Sequence, residues 1–200
     1  MKQMIYRRPV QAREDNRVHA VAFTGKIDRM MVSYENDPCC ADLKKRLLSS
    51  MEMLVLDDYT HFILCDGTAL DIFAAELVLQ LRQKYSWVTL ELVAAPGTAL
   101  SADLRRRRNL LRTQADIVTL GCRSGSHRTD YMITGADVLL AVHDGRLDSV
   151  HSRLLTADDL GKQVTVIPPV INAIQSIRYH SCGRPAARKA WSMMAAGLVR

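Results

Sequence analysis

Two short stretches of the chain hold residue types that can meet an anion. The first is Phe23-Thr24-Gly25-Lys26, which follows an apolar run. A glycine lets backbone N–H groups approach a negative charge closely, and a lysine can neutralise it. The same glycine also suits a plain strand-ending turn. The second is Cys65-Asp66-Gly67-Thr68-Ala69-Leu70-Asp71, which leads into a helix-patterned run. The amino end of that helix would aim free amides at anything bound there, which favours phosphate. Thr68 can cap the helix and also donate to a ligand. Asp66 opposes an anion by its charge but can hold a ribose hydroxyl. Asp71 in the first helical turn complements the helix dipole. Glu76, one turn on, is either a solvated helix residue or a carboxylate of the same pocket.

Other residues compete for a role. Arg105–Arg108 reads as a solvated helix face from which one or two side chains can reach an anion, with Arg128 as a further donor. His143 follows an apolar run and is the histidine best placed for a pocket, while the six histidines together show no metal-ligand spacing. Ser124, Ser126 and His127 lie close together without the G-x-S-x-G elbow of a nucleophilic serine, so loop and helix cap is their simpler reading. The five cysteines form no C-x-x-C pair and are odd in number. That argues for reduced thiols, a cytosolic setting and neither a disulfide frame nor a zinc site. Cys65 is a candidate pocket thiol with nothing beside it that argues for activation.

The elements that must position these residues follow from periodicity. Val18–Thr24, His61–Leu64, Trp87–Ala94, Ile117–Leu120, Val138–Val142 and Val164–Ile167 read as strands. Asp37 and Pro38 suit a helix start, and Cys40, Leu43, Leu47, Met51 and Leu54 form one apolar face to about Leu56. Leu70, Phe73, Ala74, Leu77, Val78 and Leu81 form a second stripe. Ser101 caps a third helix through Thr113; His127–Thr134 and Ser149–Leu160 complete the set, and a weaker pattern surrounds Ala186–Ala196. Short apolar strands alternating with helices predict an α/β fold: a three-layer, Rossmann-like arrangement around a mostly parallel sheet of about six strands. A ligand in such a sheet sits at the carboxyl ends of the strands, where the strand order reverses.

Bulk properties narrow the classes. The length of 200 residues fits one domain, expected over 18–169 between a basic extension at 1–17 and a basic tail at 170–200. Residues 1–17 carry five basic and two acidic side chains, 170–200 carry five basic and none acidic, and the middle carries 17 basic and 19 acidic. The charge of +6 therefore sits in the tails, which either hold nucleic-acid phosphates loosely or are solvated ends. No apolar stretch approaches the roughly 20 residues of a membrane span, and the first residues do not read as a signal peptide.

The ordered set FTGK, HFILCDGTALDIFAAELVLQLRQKY and HRTDYMITGADVLLAVHDG resembles the YpsA-like branch of the SLOG superfamily over about residues 18–167. Phe62, Asp71, Ala74-Ala75-Glu76, Arg128, Tyr131-Met132, Asp137 and Asp144-Gly145 carry the likeness. The resemblance implies a Rossmann-like fold and a pocket for a nucleotide or an ADP-ribose-like ligand, with its phosphate-facing parts at the Thr24-Gly25 turn and the Cys65–Asp71 loop. With the positional reading above, the candidate ligand-binding residues are Thr24, Gly25, Lys26, Asp66, Gly67, Thr68, Asp71, Arg128, His143 and Asp144, and no metal site is expected. Cys65, Asp66 and Ala69 stand where the family has glycines. By analogy with the LOG relatives, Glu76 or Asp71 would serve an N-glycoside or phosphate-bond hydrolase. By analogy with DprA, the basic tails would serve nucleic acid. A pocket given over to protein contact, and a homo-oligomer, stay open.

Overall fold

The computed structural model describes residues 18–27, 38–95, 97, 99–120 and 124–169. Six strands form one sheet: β1 His19–Gly25, β2 Tyr59–Cys65, β3 Thr89–Val93, β4 Ile117–Thr119, β5 Val138–Val142 and β6 Gln163–Ile167. Five helices connect them: α1 Pro38–Leu56, α2 Ala69–Lys84, α3 Ala102–Gln114, α4 Gly125–Gly135 and α5 Ser149–Asp159. The strand order is β4-β3-β2-β1-β5-β6, and every pairing is parallel, which sharpens the expected mostly parallel sheet.

Alternation along each strand divides the core in two. Val21, Phe23, Phe62, Leu64, Leu90, Leu92, Leu140 and Val142 face α1, α2 and α3. Ala20, Ala22, Ile63, Val93, Leu139 and Ala141 face α4 and α5. The chain winds outward from β1 to β4 over the first face, then returns to lay β5 and β6 on the other side of β1 over the second face. Direction and face change together, as a constant crossover hand requires. This makes the arrangement three-layered and Rossmann-like, with its switch point between β1 and β5.

The apolar stripes explain the helices. Cys40, Leu43, Leu47, Met51 and Leu54 of α1 are buried at steps of three and four. Burying each such side chain contributes on the order of 1.5–3 kcal/mol. Thr68 and Asp71 form a reciprocal capping box on α2, and Ser101, Ser124 and Asp148 cap α3, α4 and α5. β3 starts at Thr89 rather than at Trp87. A turn closed by the Val88 amide on the Tyr85 carbonyl takes up the intervening residues, and Trp87 lies tilted against Tyr85. The expected pattern around 186–196 and both basic segments fall outside the described residues, as does Asp37.

Candidate functional site

A cleft of ≈ 170 Å³ opens at the carboxyl ends of the strands, over the β1/β5 switch point. Its walls come from both faces of the sheet. Thr24 and Gly25 end β1; Cys65, Gly67, Thr68 and Asp71 span the β2–α2 turn; Arg128, Thr129, Met132 and Ile133 belong to α4; Arg153 comes from α5.

Local structure fixes each part. Thr24 is buried on the α4/α5 side of β1, and its Oγ1 accepts a hydrogen bond from Arg153 Nη1 at 2.6 Å. Among the described residues no carboxylate stands in ion-pair range of this half-buried guanidinium, although Asp71 lies within its electrostatic reach. Helical side chains lean toward the helix amino end, and Arg153 sits in the second turn of α5, so it leans toward the cleft. Arg128 enters from α4, near enough for its positive field to act on Cys65.

Gly25 has a packing reason to be glycine. A Cβ there would lie 2.6 Å from Leu70 Cδ2 and 3.2 Å from the Val142 carbonyl oxygen. The close fit of β1 against Leu70 and β5 therefore disfavours a side chain there, whatever binds nearby.

Asp71 is buried in the cleft wall. Its Oδ2 accepts from the Thr68 amide at 2.9 Å, and its own amide donates to Thr68 Oγ1 at 3.1 Å. Burial pushes the carboxyl up to about 6. The Thr68 bonds and the field of Arg153 oppose that rise, while Asp66 adds to it. Cys65 is pushed up to about 11, by burial first and then by Asp71, so it is a neutral thiol in ordinary conditions.

Several expected residues stand elsewhere. Asp66 is buried, and both of its oxygens are engaged within the protein: Oδ1 accepts from the Ala95 amide at 2.7 Å and Oδ2 from Arg112 Nε at 2.6 Å. It braces the cleft wall rather than facing the cavity. Glu76 is clasped by Arg107, Oε1 to Nε at 2.7 Å, in a separate groove between α2 and α3 that Leu110 and Gln114 also line. Lys26 is exposed and lies 3.3 Å from Asp148 Oδ2. His143 is buried beyond the end of β5, with Nδ1 3.8 Å from Asp148 Oδ1; burial holds it below the usual imidazole range, against the pull of Asp148 and Asp144. Asp144 pairs with Arg146 at 3.1 Å. Of the residues expected to touch a ligand, Thr24, Gly25, Gly67, Thr68, Asp71 and Arg128 are thus brought together, and Lys26, Asp66, His143 and Asp144 do not line the cavity.

Sequence reasoning missed Arg153 and Arg112. A signal for Arg153 was present: a cation beside the Val150, Leu154 and Ala157 stripe, near the start of the helix after β5. Of the Arg105–Arg108 run, Arg106 pairs with Asp103 and Arg107 with Glu76; the arginine that reaches the β2–α2 turn is Arg112, a turn further on.

Chemically, the cleft offers two guanidinium groups, the hydroxyls of Thr24 and Thr68, the amino end of α2 and one carboxyl raised to about 6, while the Thr129 hydroxyl donates to the Gly125 carbonyl at 3.0 Å. Such a set accepts an oxyanion through charge-assisted hydrogen bonds. Among the described residues no group of histidine, cysteine or carboxylate side chains is arranged to hold a metal ion, and no helix is long and apolar enough to cross a membrane. Neither a scan against protein-family models nor a search of curated proteins gives a match to this chain.

Proposed function

We propose that the chain binds a nucleotide or nucleotide-derived ligand in the β1/β5 cleft, with the ligand's anionic end at Thr24 and Arg153. The observation that carries this reading is the Arg153 guanidinium, which donates to Thr24 Oγ1 and has no carboxylate in ion-pair range among the described residues. A half-buried guanidinium at a switch point favours an anionic occupant. The resemblance to YpsA-like SLOG proteins adds the nucleotide character and remains part of the proposal.

Binding is favoured over hydrolysis by one observation. Glu76 is engaged by Arg107 outside the cleft, and Asp71, which lines the cavity, has an oxygen fixed in the α2 cap. The nucleic-acid reading rests on basic segments that lie outside the described residues.

The test is thermal denaturation of the whole chain against a panel of nucleotides and ADP-ribose-type compounds. At least one member should raise the melting temperature, and Arg153→Gln should abolish that rise while leaving the unliganded transition close to that of the unaltered chain. No shift with any member at millimolar concentration overturns the reading.

A further inference from the structure

We propose that Asp71 and Arg153 make the cleft a proton-coupled site for a doubly charged oxyanion, such that a dianion seated between Arg153 and Arg128 drives Asp71 to its neutral form. This deepens the binding reading and rests on it, because it specifies the charge of whatever the two arginines hold.

The geometry is a carboxyl and a guanidinium that share a cleft without forming an ion pair. Arg153 Nη1 is spent on Thr24 Oγ1, and Asp71 Oδ2 on the Thr68 amide. Asp71 nevertheless lies within the electrostatic reach of Arg153, which favours its ionised form. An oxyanion that engages Arg153 compensates that positive field and adds a negative one. Both effects act in the same direction, because a nearby like charge disfavours an ionised carboxyl. The proton that neutralises Asp71 comes from solvent.

The other charged groups around Asp71 do not take its place. Cys65, at the end of β2, is already a neutral thiol. Asp66 is bound by Arg112 from α3, and Lys26 pairs with Asp148 beside the start of α5. Arg128, from α4, lines the same cavity. His143 stands beyond the end of β5 and does not line the cavity. Among the described residues Asp71 is therefore the cavity-lining carboxyl, and burial raises it to about 6. A ligand that donated a hydroxyl to ionised Asp71 would have the opposite effect and hold the carboxylate charged.

The probe is sulfate, a tetrahedral dianion that does not titrate over the relevant range, with perchlorate as a singly charged comparison at matched ionic strength. Calorimetric titration of the whole chain should give a sulfate dissociation constant about tenfold lower near about pH 5 than near about pH 7.5. Near neutrality the heat of binding should vary with the ionisation enthalpy of the buffer in the sense of proton uptake, and perchlorate should show a smaller effect. Asp71→Asn should bind sulfate without pH dependence. The buffer series on the unaltered chain decides the matter even where that variant folds poorly. Sulfate binding that is lost in Arg153→Gln but shows neither pH dependence nor proton uptake overturns the coupling and leaves the binding reading standing. Sulfate that fails to bind, or binds Arg153→Gln equally well, overturns both.

Discussion

Asp66 Oδ2 and Arg112 Nε lie 2.6 Å apart and tie the turn after β2 to the last turn of α3. The carboxylate is 1 % exposed and the guanidinium 31 % exposed, so the charge that cannot be left alone is the acidic one. Through its other oxygen the same carboxylate holds the Ala95 amide, and Ala95 lines the cleft.

Arg112→Ala is expected to destabilise the fold by about 2 kcal/mol, less than the loss of a partner from a fully buried pair because Arg112 is partly solvated. Asp66→Asn should cost less, since it removes the buried charge along with the pair. The double variant should fall short of the sum of the two. Urea denaturation of the four proteins measures all three statements.

Asp71 gives a pH signature of defined sign. Its carboxyl is raised from 3.8 to about 6 on folding, so its contribution to stability is complete below about pH 4 and is lost as the pH rises through about 6. The full loss is about 3 kcal/mol. Asp71→Asn keeps an oxygen for the Thr68 amide and removes the ionisation. Relative to the unaltered chain it should gain stability between about pH 4 and 7. A constant difference across that range in chemical denaturation would contradict the burial of the charge.

Much of this architecture was legible in the sequence, for a physical reason. Parallel strands covered on both faces must be apolar runs, and the helices between them must carry stripes, so each element announces itself locally. Thr68 and Ser101 were likewise readable as caps, because a cap acts within three residues. The long-range polar contacts were not. Asp66 finds Arg112 across 46 residues, Glu76 finds Arg107 across 31, and Thr24 finds Arg153 across 129. Nothing local distinguishes a carboxylate that will meet a distant arginine from one that will face a cavity. Asp66, Glu76 and Asp71 were therefore all candidate pocket carboxylates in the sequence, and in the fold Asp71 lines the cavity while the other two are bound by arginines.

Gly25 should resist enlargement. Gly25→Ala places a methyl against Leu70 Cδ2 and the Val142 carbonyl, and a loss of roughly 1–3 kcal/mol is expected. Leu70 can recoil but the backbone of β5 cannot, so Leu70→Ala should recover part of the loss. A double-mutant cycle in guanidinium chloride tests the coupling; strict additivity would show that the crowding is relieved elsewhere.

Glu91 is buried in the middle of β3 and accepts from Thr119 Oγ1, from Tyr131 Oη at 2.6 Å and from His61 Nε2 at 3.0 Å. Burial would raise this carboxyl, but the three donors outweigh it and hold it below the usual range. Its contribution is therefore present at neutral pH and lost on acidification. Tyr131→Phe should cost about 1–2 kcal/mol and move acid unfolding to higher pH. Circular dichroism during acid titration follows that midpoint; an unchanged midpoint would mean that the hydroxyl bond contributes nothing to the charged form.

The pairing of β1 with β5 also works as a ruler. Sliding one parallel strand by two residues keeps every side chain on its proper face, so alternation alone cannot forbid it. Such a slip would carry α5, and Arg153 with it, roughly 6.6 Å away from Thr24. Contacts at both ends of the pair prevent the slip. At the lower end Asp137 both accepts from the Ala20 amide and donates its own amide to the Ala20 carbonyl. At the upper end the Lys26 amide meets the Val142 carbonyl, and Gly25 lies flush against Val142. The spacing between the hydroxyl and the guanidinium of the cleft is thus set in part by Asp137, at the far end of the strands from them.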